Sequence, residues 1–231
     1  MKHLKALLIL LIPTMAFAGL PDVPLNAKSV IPLLIEYGKP IWPDADFALL
    51  AAEMHKETCI TEKHPFCFSP TAHLKTAREE GGGLGQFTRT AKMDVVAELR
   101  AQFPQYLANW DWDRDFLNVK YQIQAMVLKQ YYNWSRITDA KTEIDRKAFM
   151  LLAYNAGGGR VISDRRVCRA TPECDSDVWI GNVENTSMLK SVAKAQGYGE
   201  TFYQITRRYV REILLTLRPR YEAYLGTLEK K

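Results

Sequence analysis

Apolar residues recur at the spacing of one helix face in five separate stretches of this 231-residue chain, and no stretch convincingly alternates apolar with polar residues as a half-buried strand does. That pattern restricts the chain to a mainly α fold. The first stretch spans 43–58: Pro43 suits a first helical position, Asp44 and Asp46 suit the positive end of the dipole, and Phe47, Leu50, Ala51, Met54 and Thr58 form the stripe. Further helices are expected over 90–103 (Val95, Val96, Leu99), 114–134 (Phe116, Ile123, Val127, Tyr131) and 143–155 (Ile144, Ala148, Leu151, Leu152). A last long helix covers 200–217 (Phe202, Ile205, Tyr209, Ile213, Leu217) and ends just before Pro219. Residues 59–90, with Pro65, Pro70 and the run Gly81-Gly82-Gly83-Leu84-Gly85, read as loop.

The two ends of the N-terminal region differ from this pattern. Lys2, His3 and Lys5 precede a mostly apolar run from Leu4 to Met15, and Ala16-Phe17-Ala18 has the small-x-small form of a signal-peptidase site, so residues 1–18 are expected to be a cleaved signal peptide. The apolar run is short and broken by Pro13, whereas about twenty residues normally span a bilayer, which disfavours the alternative of an uncleaved anchor. No later segment is apolar enough for a membrane helix, so an exported protein of periplasm or extracellular space is expected, without stable membrane insertion. Residues 19–41 carry Pro21, Pro24, Pro32 and Pro40 and are expected to form an extended arm lying on a single helical domain, 42–231. A monomer is expected.

The four cysteines form two close pairs, Cys59 with Cys67 and Cys168 with Cys174, and in an oxidising compartment two local disulfides are the economical reading. Loss of Lys2 and Lys5 with the leader lowers the formal charge from +5 to +3, a mild basic excess compatible with a polyanionic wall. No dense basic stripe with interleaved aromatics is present, so nucleic acid is not expected as a partner. His55, His64 and His73 crowd around Cys59 and Cys67, which raises the possibility of zinc. The spacing matches neither Cys-x2-Cys nor His-Glu-x-x-His, and exported thiols tend to pair, so no metal and no cofactor are expected.

Three segments matter together: Glu57-Thr58-Cys59, Gly83-Leu84-Gly85-Gln86-Phe87-Thr88 and Ala153-Tyr154-Asn155-Ala156-Gly157. In this order, on a helical background, they resemble the soluble lytic transglycosylase family of the lysozyme-like group, where a helix ends in Glu-Ser, a Gly-Leu-Met-Gln segment follows and an Ala-Tyr-Asn-Ala-Gly segment comes later. The likeness covers about residues 43–160. Cys59, Cys67, Leu74-Lys75-Thr76 and Arg78-Glu79-Glu80 are more particularly similar to the single-domain lysins of giant bacteriophages. Two departures are visible: Thr58 stands where the family has Ser, keeping a hydroxyl, and the loop between Glu57 and Gln86 is longer than in many members.

The resemblance implies a lysozyme-like (goose-type) helical domain and a peptidoglycan lyase that cleaves the bond between N-acetylmuramic acid and N-acetylglucosamine. Glu57 would act as acid and then base and leave a 1,6-anhydro end, with the Tyr154 hydroxyl hydrogen-bonded to Glu57. Helical spacing agrees with that choice: Glu57 sits about 20° from Leu50, at the margin of the apolar stripe, where desolvation raises a carboxyl pKa. An isolated helical glutamate is ordinarily a solvated surface acid, and spacing alone does not select Glu57 over Glu53, its i−4 neighbour, whose charge would add pressure in the same direction. Gln86 can donate to and accept from an N-acetyl group, and Gly85 and its neighbours let backbone approach the glycan. Thr58 is expected to steady Glu57, and Asn155 to cap or position the Gly157-Gly158-Gly159 turn or touch substrate. Trp110, Trp112, Trp134 and Trp179 can stack on sugars, but core packing is expected for most of them. The rival enzymatic reading is a hydrolytic muramidase, a lysozyme-like endolysin, which needs a second carboxylate, with Glu79 and Glu80 as candidates. A rival of another class is a non-catalytic wall-binding assembly protein, which has no need of Glu57.

Overall fold

The computed structural model describes residues 22–76, 79–192, 194 and 199–228; the leader read at 1–18 and the first residues of the arm lie outside the described residues. The expected extended arm is corrected: Ala27–Gly38 forms a helix (α1) with Ala27, Val30, Ile31, Leu34 and Gly38 buried. Pro32 lies inside it but on the exposed side, where the Lys28 carbonyl that loses its amide partner can be hydrated. Burial of an i, i+3, i+4, i+7 stripe outweighs that one lost bond.

The second helix (α2, Phe47–Thr58) begins four residues later than Pro43 suggests, because Asp46 is its N-cap and accepts from the Leu49 amide at 2.9 Å. Burial raises this carboxyl, but Lys147 and Arg218, at 2.8 and 2.7 Å, together with the Leu49 amide bring it below its ordinary value. Residues 48–55 are all buried, so α2 is a central helix. Ala48, Ala51 and Ala52 let neighbours approach closely.

Of the expected loop 59–90, residues 59–72 are turns and irregular chain, whereas the rest is corrected to a small antiparallel sheet, β1 (His73–Lys75), β2 (Glu79–Gly82) and β3 (Phe87–Thr90), in the order β1-β2-β3. Gly82 pairs with Phe87 and Glu79 with Thr90, so residues 83–86 form the hairpin turn. Cys59 and Cys67 are joined where α2 passes into this segment, and a second disulfide joins Cys168 to Cys174.

Beyond the sheet the helices are α3 (Val95–Gln102), α4 (Pro104–Leu107), α5 (Val119–Arg136), α6 (Glu143–Ala156) and α7 (Gly158–Arg169). Asp94, Asn118 and Thr142 cap α3, α5 and α6 with their side chains, which sets each start where spacing alone leaves it loose. Helix α7 replaces the turn expected at 157–159. Gly157 turns the chain at φ +83°, and Gly158 and Gly159 already belong to the next helix. The last helix does not end before Pro219. Helix α8 (Phe202–Glu212) passes into a π turn, Ile213–Leu217, and continues as α9 (Arg218–Leu228). Pro219 has no amide for an i−4 bond, and the widened turn relieves the clash of its ring with the preceding carbonyls.

Helix α2 packs on α1, the π turn and α9, while α6 packs on α5, α7 and α8. Trp110 and Trp179 are fully buried, as expected of most tryptophans here, and Trp112 and Trp134 lie partly buried beneath Arg89 and Arg146. Among the described residues no helix is long and apolar enough to cross a membrane.

Candidate active site

Glu57 stands in the last turn of α2, and that helix end is held from two sides. Thr58 Oγ1 donates to the Met54 carbonyl at 2.6 Å and accepts from the Phe68 amide at 2.9 Å. The Cys59–Cys67 disulfide closes the same loop one residue further on. Thr58 therefore steadies the backbone beneath Glu57 rather than the carboxylate itself.

The Glu57 carboxyl opens into a cavity of about 580 Å³. Gln86 and Thr88 line it from the hairpin, Asn155 and Ala156 from the end of α6, Arg160 from α7, and Phe202 and Ile205 from α8. Three separated parts of the chain, the hairpin, the α6–α7 junction and α8, thus meet around one acid. Burial pushes the Glu57 carboxyl up to about 7, while the Tyr209 hydrogen bond, Lys129 and Lys56 pull it back. Its place in the last helical turn, at the negative end of the dipole, acts in the same direction as burial. A carboxylic acid that keeps its proton near neutral pH is a general acid in waiting.

Glu53 is not a surface acid: it is fully buried. Gln130 Nε2 donates to both its oxygens at 2.6 and 2.7 Å, and burial, followed by the charge of Glu57, pushes it up to about 8 against the bonds from Gln130 and Tyr209. The expected like-charge pressure between the two acids is present: the charge of Glu57 helps to push Glu53 up.

The expected Tyr154–Glu57 bond is corrected. Tyr154 Oη donates to the Gly85 carbonyl at 2.8 Å, and the hydroxyl that donates to Glu57, at 2.5 Å, belongs to Tyr209 of α8. Tyr154 reaches from α6 to the 83–86 turn instead of to Glu57. A Cβ at Gly85 would stand 2.6 Å from Tyr154 Oη and 2.8 Å from the Phe87 ring. Gly85 is buried and serves this close approach, outside the cavity wall.

Gln86 does face the cavity, with its amide nitrogen donating to the Gly83 carbonyl at 3.0 Å and the Ala72 carbonyl at 3.3 Å. Its own φ is +43° and that of Gly83 is +73°. The turn is pinned from below by Gln122, whose Oε1 accepts from the Leu84 amide at 2.9 Å. Asn155 caps nothing: α6 closes with the Gly157 amide on the Ala153 carbonyl, and the Asn155 side chain is exposed in the cavity wall. Of the two acids weighed for a hydrolytic partner, Glu80 is tied to His73 at 2.8 Å and Arg89 at 3.2 Å, whereas Glu79 lines the same cavity as Glu57.

Tyr209, Gln130 and Lys129 are the site residues that sequence reasoning did not single out. Tyr209 reads as one more member of an apolar stripe, and its only signal is that a buried tyrosine hydroxyl demands a partner. Lys129 places its ammonium 4.2 Å from the centre of the Tyr154 ring and holds positive charge near both acids. The three histidines near the first disulfide diverge: His55 bonds to Tyr221 at 2.7 Å, His73 to Glu80, and His64 accepts from the Phe66 amide. Among the described residues no group of His, Cys, Asp and Glu is arranged to hold a metal ion. No protein-family model matches this chain, and no curated protein matches it.

Proposed function

We propose that the protein is a peptidoglycan lytic transglycosylase with a lysozyme-like helical domain, and that Glu57 is its single acid and base. The observation that carries this reading is a glutamate raised to about 7 at the wall of an open cavity, on a helix end locked by Thr58 and a disulfide. Protonated Glu57 donates to the oxygen between N-acetylmuramic acid and N-acetylglucosamine, and the muramoyl acetamido group assists departure of the leaving sugar. Glu57, now a carboxylate stabilised by the Tyr209 hydroxyl and the nearby Lys129, takes the proton of the muramoyl 6-hydroxyl as that oxygen closes onto C1. The proton returns to Glu57, and the product carries a 1,6-anhydro ring without net uptake of water.

Asn155 supplies an amide group to the cavity, Gln86 only its amide oxygen, since its nitrogen is held by the Gly83 and Ala72 carbonyls, and Phe202 an apolar face, a mixture suited to N-acetylated sugars. The two disulfides and the basic-apolar start of the chain support an exported enzyme acting on the wall. Glu57→Gln is expected to lower release of soluble muropeptides from purified sacculi at least about 100-fold while leaving the melting temperature close to wild type. Undiminished release would remove Glu57 from the chemistry.

A hydrolytic muramidase is the second reading, favoured by one observation: Glu79 shares the cavity and offers a second carboxylate. Product masses separate the two, because anhydro ends weigh one water less than reducing ends.

A further inference from the structure

The Tyr209 hydroxyl has two carboxyl groups to serve and one hydrogen to give. Its oxygen lies 2.5 Å from Glu57 Oε1 and 3.1 Å from Glu53 Oε1. The hydrogen can lie on only one of these lines. With both carboxyls ionised, the other contact would set two acceptors against each other in a buried site. With the tyrosine hydrogen on the shorter line, a hydrogen on the longer line comes from Glu53 itself; the reverse order, Glu57 donating to the tyrosine and the tyrosine to an ionised Glu53, would leave a fully buried carboxylate without a cation of its own.

The surroundings of Glu53 agree. It is fully buried, and among the described residues it has no ion pair; its closest partner is the neutral amide of Gln130. Facing it are Glu57 from its own helix, Lys129 and Gln130 from α5, and Tyr209 from α8, with Tyr154 of α6 also within electrostatic reach. The one cation in that shell, Lys129, sits over the Tyr154 ring and is shared with Glu57. An ionised carboxylate in such a place is costly without a cation of its own.

We propose that Glu53 is a protonated positioning residue whose carboxyl O–H donates to the Tyr209 hydroxyl, which in turn donates to Glu57 Oε1, leaving Glu57 Oε2 as the oxygen that gives and regains the working proton. The chain of donors points one way. It orients Glu57 while the acid is neutral, and it strengthens the bond to Glu57 as negative charge develops there. A single pair of buried acids then never holds two charges during turnover. Ionisation of Glu53 at alkaline pH makes it compete for the tyrosine hydrogen and releases Glu57 from its orientation.

The kinetic consequence rests on the proposed activity, whereas the protonation itself does not. The full chain with glutamate side-chain carboxyls labelled with carbon-13 is titrated by NMR, the two signals being assigned with Glu53→Gln and Glu57→Gln. The Glu57 carboxyl is expected to ionise near pH 7, with Glu53 still protonated there and titrating only above it. A Glu53 signal that ionises in the ordinary carboxylate range in the folded protein overturns the proposal. On sacculi, Glu53→Leu is expected to lower kcat about tenfold or more with little change in KM, and Glu53→Gln to recover most of that loss, since an amide N–H replaces the lost O–H. The alkaline fall of activity in Glu53→Gln should follow one ionisation instead of two. If Leu and Gln variants give the same rates and the same pH profile, the positioning role is wrong. Should wild type release no muropeptides, the proposed function fails while the titration still judges Glu53, and a Leu variant that does not fold leaves the wild-type titration to decide.

Discussion

At the scale of residues, the site turns on where three hydroxyl and carboxyl protons lie. Glu57 must be protonated to start the reaction, so its raised pKa sets an upper limit on working pH: turnover is expected to fall as pH rises through about 7. Tyr209→Phe tests the same point from the other side. The tyrosine bond favours the anion, so its loss moves Glu57 further up and should shift the alkaline fall to higher pH, while the rate below it drops because the carboxyl is no longer held. Rates on sacculi between pH 5 and 9 check both parts, and a lower rate with an unmoved pH limb would mean that Tyr209 only packs. Glu57, Gln86 and Asn155 were legible in the sequence because each sits in a short motif and needs only to reach one cavity. The hydrogen-bond partners were not. Whether Tyr154 or Tyr209 reaches Glu57 depends on how α6 and α8 pack against each other and stand relative to α2, and no local spacing encodes that packing.

At the scale of elements, the legible parts are those whose buried face is apolar. Leu50, Ala51 and Met54 mark α2, and all three are fully buried. Helix α7 escaped because its buried face carries Asp164 and Arg165, neutralised by Arg207 and by Asp139 with Asp177, so its apolar period is absent. The strands escaped for another reason: Glu79 to Gly82 alternates nothing and is held by ladder bonds and by Arg89 across the sheet. Pro32 and Pro219 were read as breaks, yet one is absorbed on a solvent face and the other by a π turn. The junction between α2 and the sheet carries its own prediction. A disulfide closing a loop as short as Cys59–Cys67 contributes about 2–3 kcal/mol. Replacing both cysteines by alanine should lower stability by about that amount in denaturant titration and also lower kcat, since the last turn bearing Glu57 loses one of its two fixings. Loss of stability with unchanged kcat would show that Thr58 alone suffices to hold the acid.

At the scale of the whole molecule, the C-terminal helices are stitched along α2 by groups that titrate. Arg218 reaches Asp46 at the start of α2, Lys56 pairs with Glu212, and Tyr221 of α9 bonds to His55. Burial, then the nearby Arg220, lowers His55 to about 4, so the native state keeps it neutral where the unfolded chain binds a proton. That contribution is lost as pH falls from about 6.5 through 4. Glu53 and Glu57 act with the opposite sign. Their folded pKa values lie above the ordinary 4.5, so the native state holds protons that the unfolded chain releases, and stability declines as pH rises from about 4.5 toward 8. Between about 4.5 and 6.5 two glutamates oppose one histidine, so the net effect is a decline of stability with rising pH. Below that range protonation of Asp46 releases Lys147 and Arg218 and lowers stability again. These groups together place the stability maximum on the acid side, near pH 4–5, where Glu57 holds the proton with which the reaction starts. Denaturant titrations from pH 3 to 9 should find it there, with Glu53→Gln flattening the decline toward alkaline pH. A maximum at pH 7–8 with an unaltered slope in that variant would mean that the two buried acids are ionised in the native protein, contrary to the chemistry assigned to them.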